Sequence, residues 1–217
     1  MPAGKLTLEA DDGVHIEDMM KGVTSDKALV INADVDDNGT GTLTVAASMT
    51  VTSNKSDVTI TAFDIDMDGS LTAGTKAITI HGAVASQTIG VGTTPTTQMN
   101  IDDTELGKLT AALGVTMGSS TSGSISVGAV SDGNSDTIAT LTLVATKTQT
   151  SPAKTTVTFL AAASVFDKGI VVQAMGGVEL SGDVTTASTQ TEINAGTGVL
   201  TVASAKTLST TGQLLKI

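Results

Sequence analysis

The chain has 217 residues with 22 carboxylates, 11 lysines and no arginine, which leaves a formal net charge of −11 at neutral pH. Without guanidinium forks, and with an acidic field, it is excluded as a partner of nucleic acid or of anionic membrane surfaces. It has no cysteine, which excludes disulfide frames, zinc–thiolate sites and cysteine nucleophiles.

Three Phe, no Tyr and no Trp leave Val, Ile, Leu, Ala and Met to fill a core, while 39 Thr and 23 Gly supply strand and turn residues. With 40% hydrophobic residues the chain can offset its ordering entropy and should fold, around a thin and finely layered core. No run approaches the roughly 20 apolar residues that span a bilayer. The stretch from Met1 to Leu8 has no apolar h-region and enters alternation at once, so it does not read as a secretory signal. The last segment, Leu214-Leu215-Lys216-Ile217, stops inside an alternating run. The expectation from both ends is a piece of a longer array, either cytosolic or with its export signal elsewhere.

Along the chain, period-two alternation predicts short half-buried strands. Leu43 and Val45, Val51, Val58 and Ile60, then Ile78 and Ile80 alternate with Thr, Ala or Lys. Asp-Asp-Gly at 11–13, Asp-Asn-Gly at 37–39, Asn-Lys-Ser-Asp at 54–57, Asp-Gly at 68–69 and Asp-Gly-Asn at 132–134 are turn signals. Further strand runs follow at 87–91, 124–130, 137–145, 155–160, 169–174 and 198–203. Between them, Leu106, Leu109 and Leu113 at helical spacing behind Asp103 and Thr104 predict one or two helical turns over 103–113, with Gly107 weakening the helix.

The end of the chain repeats its beginning. Gly39-Thr40-Gly41-Thr42-Leu43-Thr44-Val45-Ala46 returns 157 residues on, from 39 to 196, as Gly196-Thr197-Gly198-Val199-Leu200-Thr201-Val202-Ala203. Ala10, Gly13, Val14 and Ile16 have counterparts in Ala174, Gly177, Val178 and Leu180, 164 residues on. Residues 1–60 and 170–217 therefore read as equivalent parts of successive long repeats in one continuous solenoid, 1–217. A sandwich would need large side chains between sheets about 10 Å apart, and the near-absence of aromatics disfavours it. A parallel β-helix stacks small β-branched residues in ladders along a narrow core. The fold expected is all-β, a parallel, right-handed β-helix with one short helical segment near 103–113.

These residues also carry a resemblance. Leu43-Thr44-Val45-Ala46, Val58-Thr59-Ile60-Thr61-Ala62, Gly69-Ser70-Leu71-Thr72-Ala73-Gly74 and Gln87-Thr88-Ile89-Gly90-Val91-Gly92 look like the repeats of filamentous-haemagglutinin-type β-helix proteins. Thr104-Glu105-Leu106, Leu113-Gly114-Val115-Thr116-Met117-Gly118 and Gly123-Ser124-Ile125-Ser126-Val127 are similar to stretches of very long β-strand-repeat proteins. The likeness implies a β-helix in a large exported surface or filament protein, often adhesive, and carries no catalytic residue with it.

The best ligand constellation is acidic. Asp34-x-Asp36-x-Asn38-Gly39 and Asp64-x-Asp66-x-Asp68-Gly69 each match the first half of a calcium loop, where alternating oxygens and a Gly turn wrap a hard cation. The twelfth positions, Val45 and Thr75, lack the bidentate Glu, and the second triplet alternates within a strand-like run. Calcium is thus the one candidate cofactor, set against a solvated face ending in a turn. Asp34 to Asn38 also form an insertion with no equivalent in the second copy, where Asn194-Ala195-Gly196 closes the gap.

His15 and His81 lie in separate strands and read as surface histidines. Gly-x-Ser-x-Gly does not occur, and no Gly-rich loop leads into a strong helix. Thr-x-Thr steps recur at 42/44, 50/52, 59/61, 140/142, 156/158 and 189/191, but unevenly. Asn38-Gly39-Thr40 and Asn54-Lys55-Ser56 have the form of glycosylation sequons.

The function expected is non-enzymatic: a stiff rod or filament building block of a large extracellular or cell-surface protein, serving adhesion or assembly. Its expected partners are adjacent repeats or further copies of itself, and cell-surface glycans or proteins. The alternatives are an ice-binding β-solenoid, a calcium-dependent adhesion module, and a polysaccharide-processing β-helix enzyme, for which the chain lacks Arg, Tyr and Trp.

Overall fold

The computed structural model describes residues 4–23, 25–94, 96–148 and 154–217; Met1–Ala3, part of the N-terminal run read above, lie outside them. The described chain winds through eight coils. Coil 1 holds β1 (Leu6–Glu9), β2 (Gly13–Ile16) and β3 (Met20–Lys21), and coil 2 holds β4 (Leu29–Asn32), β5 (Thr42–Val45) and β6 (Thr50–Thr52). Coil 3 holds β7 (Val58–Ala62), β8 (Asp64–Met67) and β9 (Ser70–Gly74). Coil 4 is longer, with β10 (Ile78–Gly82), β11 (Ile89–Gly92), β12 (Met99–Ile101), the helical turn α1 (Asp103–Leu106) and β13 (Leu109–Ala111). Coil 5 has β14 (Val115–Ser119), β15 (Ile125–Gly128) and a 3-10 turn at Asp132–Asn134. Coil 6 has β16 (Leu141–Ala145), β17 (Val157–Phe159) and β18 (Ser164–Phe166); coil 7 has β19 (Ile170–Ala174), β20 (Gly177–Leu180) and β21 (Val184–Thr186). Coil 8 has β22 (Thr191–Asn194), β23 (Val199–Val202) and β24 (Leu208–Thr210), and β25 (Leu215–Lys216) opens a further turn. Every strand pairing is parallel, so this is a parallel β-helix.

The first face is a nine-stranded sheet in the order β1-β4-β7-β10-β14-β16-β19-β22-β25. Its register aligns the alternation of each strand with that of its neighbours. Leu29, Val58, Ile78, Val115, Leu141 and Ile170 stack in one inward column, and Ile31, Ile60, Ile80, Met117, Leu143 and Val172 in the next. All of these are buried. Because strand side chains alternate faces, a slip of one residue would turn both columns outward, so burial fixes the register. At about 25 cal/mol per Å² of apolar surface, each such aliphatic side chain contributes roughly 1.5–3 kcal/mol. That is how a core without Tyr or Trp is assembled.

The second face is interrupted. β2-β5-β8 form one ladder and β12-β11-β15-β17-β20-β23 another. Coil 4 passes through this face twice: after β11 the chain folds back over its own outer surface and runs through again as β12, which pairs with β11 in parallel. Parallel neighbours usually need a crossover of a dozen residues or more, yet here only 93–98 intervene. Thr88 and Gln98 hold the return by reciprocal bonds, Thr88 N–H to Gln98 Oε1 and Gln98 N–H to Thr88 Oγ1, both 3.1 Å. The fold-back buries all of β11 on both sides. Gly90 makes room for it, since a Cβ there would sit 2.2 Å from Thr94 Oγ1 and 2.5 Å from Thr97 Oγ1.

The third face carries β13-β9-β6-β3 and, separately, β18-β21-β24. The predicted helix over 103–113 is shorter in the structure. It covers Asp103–Leu106, and Leu109–Ala111 is strand β13. Leu109 pairs in register with Leu71 and is buried, so the ladder to β9 outcompetes a second helical turn. Leu113, expected on the apolar helical stripe, is exposed.

The repeated segments occupy matching places six coils apart. Gly13 opens β2 with φ +123° and Gly177 opens β20 with φ +126°, a region open only to glycine. A Cβ at Gly13 would meet Thr42 O at 2.9 Å and one at Gly177 would meet Val199 O at 2.8 Å. Thr42 and Val199 are themselves counterparts in the sequence repeat. Gly41 and Gly198 are alike too, with an added Cβ striking the carbonyls of Ala33 and Gly176.

Candidate functional site

The acidic insertion Asp34–Asn38 lies, with Gly39 and Thr40, between β4 and β5. Its geometry follows from short polar side chains that bond their own backbone. Asp34 is buried, and its two carboxylate oxygens accept the N–H groups of Asn38 and Gly39, each at 3.1 Å. Asp37 at φ +55° and Gly39 at φ +82° supply the left-handed corners. Asp36 Oδ2 accepts from Asn38 Nδ2 at 2.9 Å, and Asn38 Oδ1 accepts from the Thr40 hydroxyl. Burial pushes the Asp34 carboxyl above its usual range, with the Asp36 carboxylate adding to the rise and the two N–H bonds opposing it. Both carboxylate oxygens of Asp34 thus take part in closing the turn.

The second triplet is split by the pleat. Asp64, Asp66 and Asp68 alternate outward at and after β8, with Ile65 and Met67 buried between them. Asp66 and Asp68 are solvated, whereas Asp64 is half-buried at the break in the second face. Asp64 Oδ1 accepts from Ile65 N–H and from Asn100 N–H of β12, both at 2.9 Å. Among the described residues no group of three or more His, Asp or Glu is placed to hold a metal ion. Asp34 and Asp64 both accept backbone N–H groups.

Glu105 completes the break and was not singled out by the sequence reading. Its Oε1 accepts from Met67 N–H of β8 at 2.8 Å, and its Oε2 accepts from Asp102 N–H at 2.8 Å while Asp102 Oδ1 accepts from Glu105 N–H. The signal that points to it is Asp102 followed three residues later by Glu105, a capping box. Burial raises both the Glu105 and the Asp64 carboxyl above their ordinary values, and the backbone N–H bonds oppose the rise. Where the main-chain ladder between β8 and β12 lapses, two carboxylates hold the coils together.

The histidines stay apart. His15 is exposed on the second face with its Nδ1 3.6 Å from Glu17, and His81 lies on the first face beside Thr61. The sequons differ: Asn38 is exposed on the acidic loop, and Asn54 sits half-buried in a left-handed turn.

The Thr-x-Thr steps are distributed over all three faces, but single threonines from successive coils align. On the first face Thr7, Val30, Thr59, Thr79, Thr116, Thr142 and Val171 form one outward column before Glu192 ends it. Thr and Val have the same shape, so seven consecutive strands present an even, uncharged row, spaced by about 4.8 Å. Linear spacing in the sequence hides this row because the coils differ in length. Comparisons with protein-family models, with curated proteins and with solved structures found no match.

Proposed function

We propose that the chain is a non-enzymatic structural segment, a stiff β-helical rod of the filamentous-haemagglutinin kind, from a large extracellular or cell-surface protein and serving adhesion or assembly. The observation that carries this reading is the nine-stranded parallel ladder of the first face, whose inward columns run with aliphatic side chains from coil to coil. Such a body gains stability along its axis from neighbour-to-neighbour stacking. Its outer surface is Thr-rich and acidic, which keeps it soluble and leaves adhesion to many weak contacts. Its partners would be further β-coils and surface glycans or proteins. Negative-stain electron microscopy of the purified chain tests the reading: short straight rods are expected, and compact isometric particles would overturn it.

A second reading, ice binding, is favoured by one observation, the flat Thr/Val column on the first face. Thermal hysteresis of the wild-type chain, lost in Thr79→Tyr at the centre of the column, is the result it requires. Absence of hysteresis dismisses it.

A further inference from the structure

We propose that Asn38-Gly39 in the acidic insertion is a self-modifying site: the Asp34 carboxylate assists attack of the Gly39 backbone nitrogen on the Asn38 side-chain amide, closing a succinimide that opens to aspartate or isoaspartate. This chemistry is independent of the rod reading, because it belongs to one exposed loop and not to the coil stack.

The reacting pair is visible in the residues. Of the six asparagines, Asn32, Asn38, Asn54, Asn100, Asn134 and Asn194, only Asn38 precedes a glycine. The missing Cβ leaves the Gly39 nitrogen open to approach, and at φ +82° the residue sits where other side chains are disfavoured. Nucleophile and electrophile are covalent neighbours, so the five-membered ring closes intramolecularly.

The fold adds the acid–base groups. Asp34 Oδ2 accepts the Gly39 N–H at 3.1 Å, within reach of the proton that has to leave. Asp34 is 0% exposed, and a carboxylate withdrawn from water is a stronger base than a solvated one. The Asn38 amide is held at both of its polar atoms: Nδ2 donates to Asp36 Oδ2 at 2.9 Å, and Oδ1 accepts from the Thr40 hydroxyl. That hydroxyl, which also lies 3.3 Å from Asp12 Oδ1, faces the oxygen on which negative charge develops as the amide is attacked.

Atoms and protons balance within this set. The Gly39 nitrogen forms a bond to Asn38 Cγ and gives its proton to Asp34. The Cγ–Nδ2 bond breaks, Nδ2 takes up a proton relayed through Asp36, whose carboxyl adjoins that of Asp34, and ammonia departs. Water then opens the ring at one of its two carbonyls. The product carries one more carboxylate and, in the isoaspartate form, one more backbone methylene. The turn that joins β4 to β5 is thereby changed permanently in charge and length.

The second copy of the repeat contains an internal control. Asn194 closes the corresponding gap, and both Asn38 and Asn194 are exposed, so access of water does not separate them. Asn194 precedes Ala195, and its Oδ1 accepts from the Gly196 N–H at 2.8 Å, whereas at Asn38 the following N–H is donated to a buried carboxylate.

The test incubates the intact chain at neutral pH, folded in buffer and unfolded in urea. Peptide mapping by mass spectrometry follows loss of ammonia and gain of an acid at each asparagine. Asn38 should convert while Asn194 persists, and conversion should be faster in the folded chain than in the unfolded one, where Asp34 is no longer positioned. Asp34→Asn, checked for fold by circular dichroism, should slow the folded conversion by about 100-fold, the lower end of what a positioned base supplies. If Asp34 only closed the turn, its loss would loosen the loop and speed conversion, so an equal or faster rate in Asp34→Asn overturns the proposal. A folded wild-type rate no greater than the unfolded one overturns it as well. Should Asp34→Asn fail to fold, Asp36→Asn takes its place: it leaves both backbone bonds to Asp34 intact, a slower rate supports the relay, and an unchanged rate counts against it.

Discussion

The Asp64 carboxylate accepts a hydrogen bond from the backbone N–H of Asn100, 36 residues further along the chain, at 2.9 Å. With Glu105 and Met67 it bridges the place where the β8–β12 ladder lapses, and side chains there do what main-chain carbonyls do elsewhere. Removing an acceptor leaves an N–H without its partner at a cost of about 1–3 kcal/mol. Glu105→Ala, which strips both Met67 and Asp102, should therefore lower unfolding free energy by about 2–4 kcal/mol. Asp64→Ala should cost less, and Asp64→Asn, which keeps an acceptor oxygen, should recover most of that loss. Urea denaturation of the three variants checks the order, and equal stability of Glu105→Ala and wild type would refute the bridging role.

The pH dependence of stability follows from the same groups. Burial raises the carboxyls of Asp34, Asp64 and Glu105 above ordinary values of 3.8, 3.8 and 4.5. Each binds more protons folded than unfolded, so its contribution falls as pH rises from the unfolded value through the folded one. Asp183 has the opposite sign, held low by the Thr207 hydroxyl and N–H, but its contribution is lost only as pH falls through and below 3.8. Partial neutralisation of the −11 net charge acts with the three buried groups. The melting temperature should fall as pH rises from about 4 towards 7.5, each kcal/mol giving about 2–4 °C in a chain of this size. A scanning-calorimetry series across this range reads the sign directly.

Gln87 is a buried corner post. Its Nε2 donates to Ala62 O at 3.2 Å and Phe63 O at 2.6 Å, and its Oε1 accepts from Val84 N–H at 3.0 Å. Gly82 leaves space for it, since a Cβ there would lie 2.6 Å from the amide. Gln87→Leu keeps the bulk but removes the acceptor of Val84 N–H and the donor to the Ala62 and Phe63 carbonyls. A loss of about 2–4 kcal/mol is expected, and a thermal melt within a degree of wild type would show the amide to be dispensable.

Gly177→Ala tests the glycine that the two repeats share. Its φ of +126° is hostile to any Cβ, and Val199 O stands 2.8 Å from where one would be. A cost of about 1–3 kcal/mol follows from the backbone conformation alone. Gly13→Ala meets the same geometry at an end coil and should cost less, because β2 has only one neighbouring strand. Comparing the two variants by chemical denaturation separates strain from stacking.

Calcium should leave the chain unchanged. Asp34 accepts from Asn38 and Gly39, Asp64 Oδ1 accepts from Ile65 and Asn100, and among the described residues no group of three or more His, Asp or Glu converges on a cation position. Melts with calcium and with EDTA are expected to superimpose. A calcium-dependent rise would mean that the acidic loop reopens to bind the ion.

The class of fold was legible in the residues alone: alternation of aliphatic residues with Thr, turns built on Asp, Asn and Gly, and too few aromatics for a thick core leave stacked parallel coils as the way to bury the chain. The glycines the sequence repeats, Gly13 with Gly177 and Gly41 with Gly198, also mark places where backbone meets backbone. Tertiary structure decided what depends on register between coils of unequal length. The Thr/Val column is composed of residues 20 to 37 positions apart, so no local period reveals it. The fold-back that makes β12 is set by Gly90 and the Thr88–Gln98 pair, not by alternation. The acidic residues show the same division: Asp34 and Asp64 carry the spacing of cation ligands, but burial against unpaired backbone N–H groups makes them acceptors within the fold.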